Sequence, residues 1–351
     1  MIIIEALNIN SGGGAILLNY FIRILIYKKI AFFALLDKRW GHQISELNDS
    51  NSIAYENAVI NRRKIITRFI NRQENIVSLF CFGNYPAGFS IKKKIRVVTF
   101  FQNYHLLEGK SLVGIKLKLS YFLRRLYLRS NRNSTDYYIF QSCLVLDKFK
   151  QVYNPNEHVI LKEMLFFDDK EVAEIKNKFN LKVKNKFIYP SLPHGHKNLE
   201  RLLDTWERLL QQNKTPQLFL TIPDSDFQNL HKRIAELNLK GARITNLGLL
   251  SHEALLTEVS TSEFCIYPSL LETVGLGLIE AAMLDTKVIA ADLPYTHSIV
   301  KPSLVFDPYS VQSMVIAVNK AISEPNLLNQ TTLKVKNSIE DLLILLTTSN
   351  A

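Results

Sequence analysis

Short, continuously apolar runs rich in β-branched and aromatic residues recur along this 351-residue chain, each followed by a stretch with helical spacing. "MIIIEAL", "IAFFALLD", "VSLFCFGN", "RVVTFFQN" and "DYYIFQS" are such runs in the first half, and "KFIYPS", "QLFLTIPD", "RITNLG", "EFCIYPS" and "KVIAAD" in the second. A strand without polar alternation has both faces covered, and strands joined through helices run parallel. This pattern constrains the fold more than any other feature. It predicts a doubly wound α/β architecture, with helices such as "AILLNYFIRILIYKK", "NRRKIITRFINRQ" and "NLERLLDTWERLLQQ" packed on both sides of a parallel sheet. From Val311 onward the chain reads as mostly helical.

The length exceeds what one hydrophobic core usually serves, so two domains are expected. Between residues 155 and 185 the alternation stops. The segment "FFDDKEVAEIKNKFNLKVKNK" is charged and holds no strong strand until "KFIYPS". The boundary is therefore placed to give domains of 1–170 and 171–351, with the C-terminal helices free to pack back on the first domain. Doubly wound sheets bind ligands beyond the carboxyl ends of their strands. Two such domains facing each other would make an interdomain cleft, the expected place for a ligand.

Composition removes several classes. A hydrophobic fraction of 47%, with 13 Gly and 11 Pro, excludes a disordered or fibrous chain. Cys81, Cys143 and Cys265 are far apart and form no Cys-x-x-Cys pair, which predicts reduced thiols in a cytosolic protein. The opening "MIIIEALNINSGGG" has no basic leader and meets Glu5 early, unlike a signal peptide. The most apolar stretch, residues 15 to 36, is broken by Arg23, Lys28 and Lys29 and reads as a buried helix and strand, not a membrane span.

The chemistry concentrates in "YPSLLETVGLGLIEAAML", residues 267 to 284. A strand ends at Pro268, Glu272 lies in the loop beyond it, Gly275 and Gly277 stand where a helix begins, and Glu280 falls inside that helix. Glycine at a helix start lets a ligand approach the backbone, and the free N–H groups with the positive end of the dipole suit a phosphate. Carboxylates beside such a site accept hydrogen bonds from hydroxyls. Phosphate plus several hydroxyls describes a nucleotide-sugar. A capping loop carboxylate and a solvated helix residue are the alternative for Glu272 and Glu280.

This stretch resembles the Glu-x7-Glu signature of retaining GT-B glycosyltransferases of family four. The resemblance implies that Glu272 meets the donor sugar and Glu280 the ribose hydroxyls, while the backbone of Thr273, Val274 and Gly275 meets sugar and diphosphate. Relatives often carry Pro where this chain has Gly277, a change expected to loosen the helix start. "YPSLPHGHKNLERLL", residues 189 to 203, resembles the His-Lys-Asn variant of the family's phosphate-binding segment. It implies that Lys197 meets the diphosphate, with His196 beside it and His194 close by. Many relatives place an Arg where this chain has Leu192, so a second cation must come from elsewhere or Lys197 and the helix end suffice. "RITNLGLLSHEALL" is a third match, implying that the backbone near Leu249 borders the nucleobase. The resemblance covers residues 185 to 300 well and the first domain loosely.

In the first half, "NSGGGAILL" is a glycine loop but not a dinucleotide fingerprint, because Leu17 stands where a third Gly is required. In enzymes of this kind that loop faces donor phosphate and acceptor, which Gly12, Gly13 and Gly14 fit; a plain tight turn is the alternative. His105 ends another strand and is a candidate for sugar contact or proton transfer, with a hydrogen-bonded loop histidine as the alternative. No metal-ligand constellation is evident, and the resemblance implies a metal-independent enzyme without a resident cofactor.

Charge is divided unevenly. Residues 1 to 150 hold 23 Lys and Arg against 9 Asp and Glu, and the rest hold 20 against 23. Lys116, Lys118, Arg124, Arg125 and Arg129 lie in one helix, and Arg62, Arg63, Lys64, Arg68 and Arg72 in another. With Leu, Tyr and Phe interleaved, an anionic membrane surface is the expected partner in preference to nucleic acid. A solvated basic face is the alternative.

The expectation is thus a GT-B hexosyltransferase. It would move a sugar from a nucleotide-sugar to a saccharide or lipid-linked saccharide acceptor, in cell-surface polysaccharide synthesis of the O-antigen, lipopolysaccharide or capsule kind. It would be cytoplasmic and peripheral on the inner face of the plasma membrane. The competing class is a non-catalytic nucleotide-sugar or saccharide binder that keeps the fold; a GT-B epimerase would need an acid–base pair that the sequence does not offer.

Overall fold

The computed structural model describes residues 1–348 apart from 11, 41–43, 57, 90, 92–94, 110–113, 180 and 225–226. It divides into two compact units, one of Met1–Phe167 with the segment from Asn337 onward, the other of Asp168–Lys336. The division falls at Phe167/Asp168, against 170/171 in the sequence reading, and the segment from Asn337 belongs to unit 1, the packing back that the reading allowed for the C-terminal helices.

Among the described residues, unit 1 is built on seven parallel strands. These are β1 (Ile2–Ala6), β2 (Phe32–Asp37), β3 (Ser52–Tyr55), β4 (Ser78–Cys81), β5 (Arg96–Phe101), β6 (Tyr137–Phe140) and β7 (Ile160–Glu163). Their order is β3-β2-β1-β4-β5-β6-β7, so the direction of winding reverses between β1 and β4. Helices α1 (Gly12–Tyr27), α2 (Ala58–Arg72), α3 (Ile115–Asn131) and α4 (Cys143–Tyr153) connect the strands. All of β1 is buried, as its apolar run requires. Phe80, Phe82, Phe100 and Phe166 form a continuous ring cluster, with Phe82–Phe100 and Phe100–Phe166 centroids each 5.1 Å apart.

One residue of β1 is charged. The Glu5 carboxylate is fully buried and meets Arg62 of α2 at 2.6 Å. Arg62 also donates to the Pro86 and Tyr85 carbonyls at 2.7 and 2.8 Å. Burial works against the guanidinium charge, but Glu5 outweighs it and holds Arg62 above its ordinary range. Arg62 therefore does not belong to an exposed basic face. The sequence reading of it is corrected: the charge alternates inward because the strand beneath carries a carboxylate.

Unit 2 repeats the design with β8 (Val183–Tyr189), β9 (Gln217–Leu220), β10 (Arg243–Asn246), β11 (Ser262–Tyr267), β12 (Lys287–Ala291) and β14 (Leu304–Phe306). The order β10-β9-β8-β11-β12-β14 reverses between β8 and β11. A separate antiparallel pair joins β13 (Val300–Lys301) to β15 (Thr332–Leu333). The helices are α5 (Asp169–Lys178), α6 (Leu199–Gln211), α7 (Gln228–Leu239), α8 (His252–Thr261), α9 (Leu276–Met283), α10 (Pro294–Ile299) and α11 (Val311–Ser323). In α6 the buried residues Leu199, Leu202, Leu203, Trp206 and Leu209 recur at helical spacing and make one apolar stripe. Trp206 meets Phe187 edge-on, and Phe187 stacks on Phe264 at 4.7 Å.

The last helix, α12 (Ile339–Thr347), packs in unit 1. Ser338 N–H donates to the Leu165 carbonyl at 2.7 Å, and the Asn337 amide to the Phe167 carbonyl at 2.8 Å. Arg96 donates to the Thr348 carbonyl at 2.8 Å and Ser78 to that of Leu346 at 2.7 Å. The bonds to Leu346 and Thr348 satisfy carbonyls that the end of α12 leaves without intrahelical partners.

The stretch expected to lack strands before "KFIYPS" contains β7. Its residues are exposed or half-buried, so an edge position left no apolar run to read. Helix α5 lies in the same charged stretch, started by the Asp168 side chain accepting from Glu171 N–H at 2.9 Å.

Candidate functional site

The two matched segments meet where unit 2 reverses its winding. β8 and β11 are parallel neighbours, and the chain leaves both at their carboxyl ends into loops 190–198 and 268–275. Ligands of doubly wound sheets sit at such a reversal. The loops are tied by backbone: Leu270 N–H donates to the His196 carbonyl at 2.7 Å, and the Asn198 amide to the Pro268 carbonyl at 3.1 Å. Asn198 adopts a left-handed φ of 59° and turns the chain into α6.

This tie brings Lys197 Nζ to 2.6 Å from Glu272 Oε1, with side chains only 14% and 10% exposed. The Tyr189, Tyr267 and Tyr295 hydroxyls beside them are pushed well above their ordinary range by burial and, next, by the Glu272 charge. They stay neutral and wall the carboxylate. His194 stacks on His196 at 5.7 Å, and burial and then Lys197 lower its pKa. Arg201, one turn beyond Lys197, donates to Asn198 Oδ1 at 2.8 Å.

Gly275 precedes α9 with φ +74°, and a Cβ there would crowd Leu278 at 3.3 Å. No side chain caps this helix start. Thr273 is half-buried and Val274 buried beside it. Gly277, where a looser helix start is expected, has a packing role as well. Gly277 is buried, and a Cβ would meet Pro190 at 3.1 Å and Tyr267 at 3.2 Å, so its smallness seats α9 against the ends of β8 and β11.

Glu280 is buried on α9 and is not a solvated helix residue. Its Oε1 lies 2.9 Å from His252 Nε2, and His252 Nδ1 lies 3.0 Å from Glu171 Oε2. Burial opposes the imidazole charge, but hydrogen bonds to Glu171 and Glu280 outweigh it and push His252 up to about 10. His252 and Glu171 were not singled out in the sequence. His252 is the first residue of α8, within the "SHEALL" of the third matched segment, and Leu249 stands exposed three residues before it.

A pocket of about 780 Å³ opens beside the Lys197 loop, lined among others by Pro193, His194, Asn198, Arg201, Phe227 and Leu230. Lys197, Glu272 and Glu280 do not line it, so it neighbours the cluster and does not contain it.

The remaining residues belong to unit 1. Gly12 opens α1 with φ +67°, and Gly13 and Gly14 follow in its first turn; a Cβ on Gly14 would lie 3.1 Å from Gln102 Oε1. His105 sits in a short turn after β5. Its N–H donates to Asn103 at 3.1 Å, its carbonyl accepts from Arg125 at 2.6 Å, and its ring meets Tyr121 edge-on. Helix α3 buries one residue, Leu128. Ile115, Leu119, Phe122 and Leu126 are all exposed and recur at i, i+4, i+7 and i+11, a single apolar stripe flanked by Lys118 and Arg129. Among the described residues no helix is long and apolar enough to cross a membrane.

Residues 171–337 match the family model described as glycosyl transferases group 1. A curated relative, alpha-D-kanosaminyltransferase of Streptomyces kanamyceticus, is 22% identical over 158 residues, which span 44% of this chain and 41% of that protein. Among solved structures, Anabaena Alr3699/HepE in complex with UDP and glucose superposes with a TM-score of 0.61 at 13% identity, over 93% of this chain and 91% of that one. Sucrose-phosphate synthase of Thermosynechococcus elongatus gives a TM-score of 0.66 at 16% identity, over 98% and 94%. These likenesses show the fold: two parallel α/β units of the GT-B class.

Proposed function

We propose that this chain is a glycosyltransferase that moves a hexose from a nucleotide-sugar to a saccharide acceptor with retention of anomeric configuration. The observation that carries the reading is the meeting of Lys197 and Glu272 at the reversal between β8 and β11, in the loop that the Gly275 turn leads into α9. The family match over unit 2 supports it, as does a second structure of Anabaena Alr3699/HepE, in complex with UDP-glucose.

The proposed roles follow from charge. Breaking the glycosidic bond builds negative charge on the diphosphate and positive charge on the sugar ring. Lys197 and the uncapped start of α9 stabilise the first without a metal ion. Glu272 holds the sugar hydroxyls, and Glu280 the ribose. His196, Thr273, Val274 and Leu249 line the donor. Gly12, Gly13 and Gly14 serve donor phosphate and acceptor, and His105 sugar contact or proton transfer. The departing phosphate takes the acceptor proton on the same face, since no protein nucleophile is assigned. A lipid-linked acceptor, a peripheral place on the inner face of the plasma membrane and a role in surface polysaccharide synthesis agree with the basic, apolar face of α3.

Slow hydrolysis of a nucleotide-sugar without acceptor tests the reading, with UDP-glucose as the first donor. Turnover lost in Glu272→Ala supports it. Tight donor binding with no hydrolysis and no transfer to any saccharide would instead favour a non-catalytic binder, the reading that Leu192 in place of a basic residue keeps open.

A further inference from the structure

Each glutamate of the cluster has its own cation, brought from a different loop. Lys197, after β8, faces Glu272, and His252, after β10, faces Glu280. The second pairing has no counterpart in the sequence reading. Both ring nitrogens of His252 face carboxylate oxygens, at 2.9 and 3.0 Å. A neutral imidazole has one N–H and one lone pair, so it would set that lone pair against a carboxylate. Only the imidazolium donates both ways.

The geometry points to His252 as a positioning residue that, as an imidazolium spanning Glu171 and Glu280, orients the Glu280 carboxylate and offsets its charge beside an anionic nucleotide. This rests on the donor-site reading of Glu280. With Oε1 engaged by His252, Oε2 is the oxygen turned to a ribose hydroxyl. Without the imidazolium the two carboxylates would carry −2 beside the diphosphate; with it the group carries −1, so Glu280 repels the anion less while still accepting a hydroxyl. Glu171, near the start of α5, anchors the other side of the ring. The groups facing the ring are Glu171 and, more weakly, Asp168 from the α5 segment, and Glu280 from α9. The imidazole, pushed up to about 10, keeps its charge through the neutral range.

The test uses the full chain and calorimetry with UDP, GDP and ADP, against inorganic pyrophosphate, which has no ribose. His252→Gln keeps an N–H donor but no charge. It is expected to weaken the nucleoside diphosphate by about 10- to 100-fold, the worth of a charge-assisted hydrogen bond, and to weaken pyrophosphate, which has no ribose, by less. In combination with Glu280→Gln the losses should not add.

Glu171→Gln supplies the arm that a purely structural role would not move. Without one carboxylate the imidazole loses its proton at lower pH. Wild-type affinity should be flat from pH 6.5 to 8.5, and that of Glu171→Gln should fall as pH rises across the same window. This arm stands if His252→Gln does not fold. Wild type that binds pyrophosphate but no nucleoside diphosphate overturns the donor-site reading and this inference with it. Wild type that binds the nucleotide, with a folded His252→Gln binding equally well or a flat pH profile in Glu171→Gln, overturns the positioning role alone.

Discussion

Lys197 and Glu272 neutralise one another across 2.6 Å, so their substitutions are expected to diverge. Lys197→Ala strands a nearly buried carboxylate, a loss of the order of 3 kcal/mol for a buried pair. It should lower the melting temperature and weaken bare nucleoside diphosphate, since the ligand's charge now meets Glu272 unopposed. Glu272→Ala releases the ammonium. Bare diphosphate affinity should hold or rise while turnover falls, because the sugar contact is gone. Calorimetry and melting on both variants check this; if Glu272→Ala loses bare diphosphate as severely as Lys197→Ala while melting normally, the assigned roles are wrong. At this scale the sequence exposed residues whose chemistry is packed into one short segment, such as Glu272, Gly275 and Glu280. It hid His252 and Glu171, which are 81 residues apart and become partners only through folding. Arg62 misled for the same reason, because its partner Glu5 is a strand residue 57 positions away.

Among the elements, apolar runs and helical stripes were legible wherever burial dictates them, as in β1, β11 and α6. The two edges of unit 1 were not: β3 and β7 pair on one side only and carry mixed residues. Helix α3 is the reverse case, correctly read as helical although it buries a single residue. Its stripe from Ile115 to Leu126 faces outward, and the proposed membrane partner is tested there. Vesicles containing anionic lipid should retain the protein at low salt and release it at high salt, each Lys or Arg near the surface contributing about 1 kcal/mol. Leu119→Ser with Phe122→Ser should abolish retention without changing the melting temperature, because both side chains are exposed. Equal retention by neutral vesicles would remove the electrostatic part of the proposal.

At the scale of the molecule, repeated alternation of strand and helix announced two parallel sheets, and the structure contains them with the same winding reversal in each. The return of the chain to unit 1 after Lys336 was allowed for in the sequence, but its starting point was not legible, because α12 is held by Ser78 and Arg96, side chains far back in the chain. The two crossings lie together, with Ser338 bonded to Leu165 and Asn337 to Phe167. Unit 2 is therefore a loop of chain closed at its base by a clasp. Under tension the clasp decides what is loaded. A pull between β1 and α12 strains unit 1 alone, and unit 2 hangs slack until α12 is torn from its sheet. Optical tweezers with handles on those two elements should record unit 1 yielding first and unit 2 second, in every pull. Unit 2 yielding first would mean that the clasp does not hold. A closed clasp shields the units unequally: whatever draws on β1 and α12 of unit 1 leaves the nucleotide-binding candidate folded until the end.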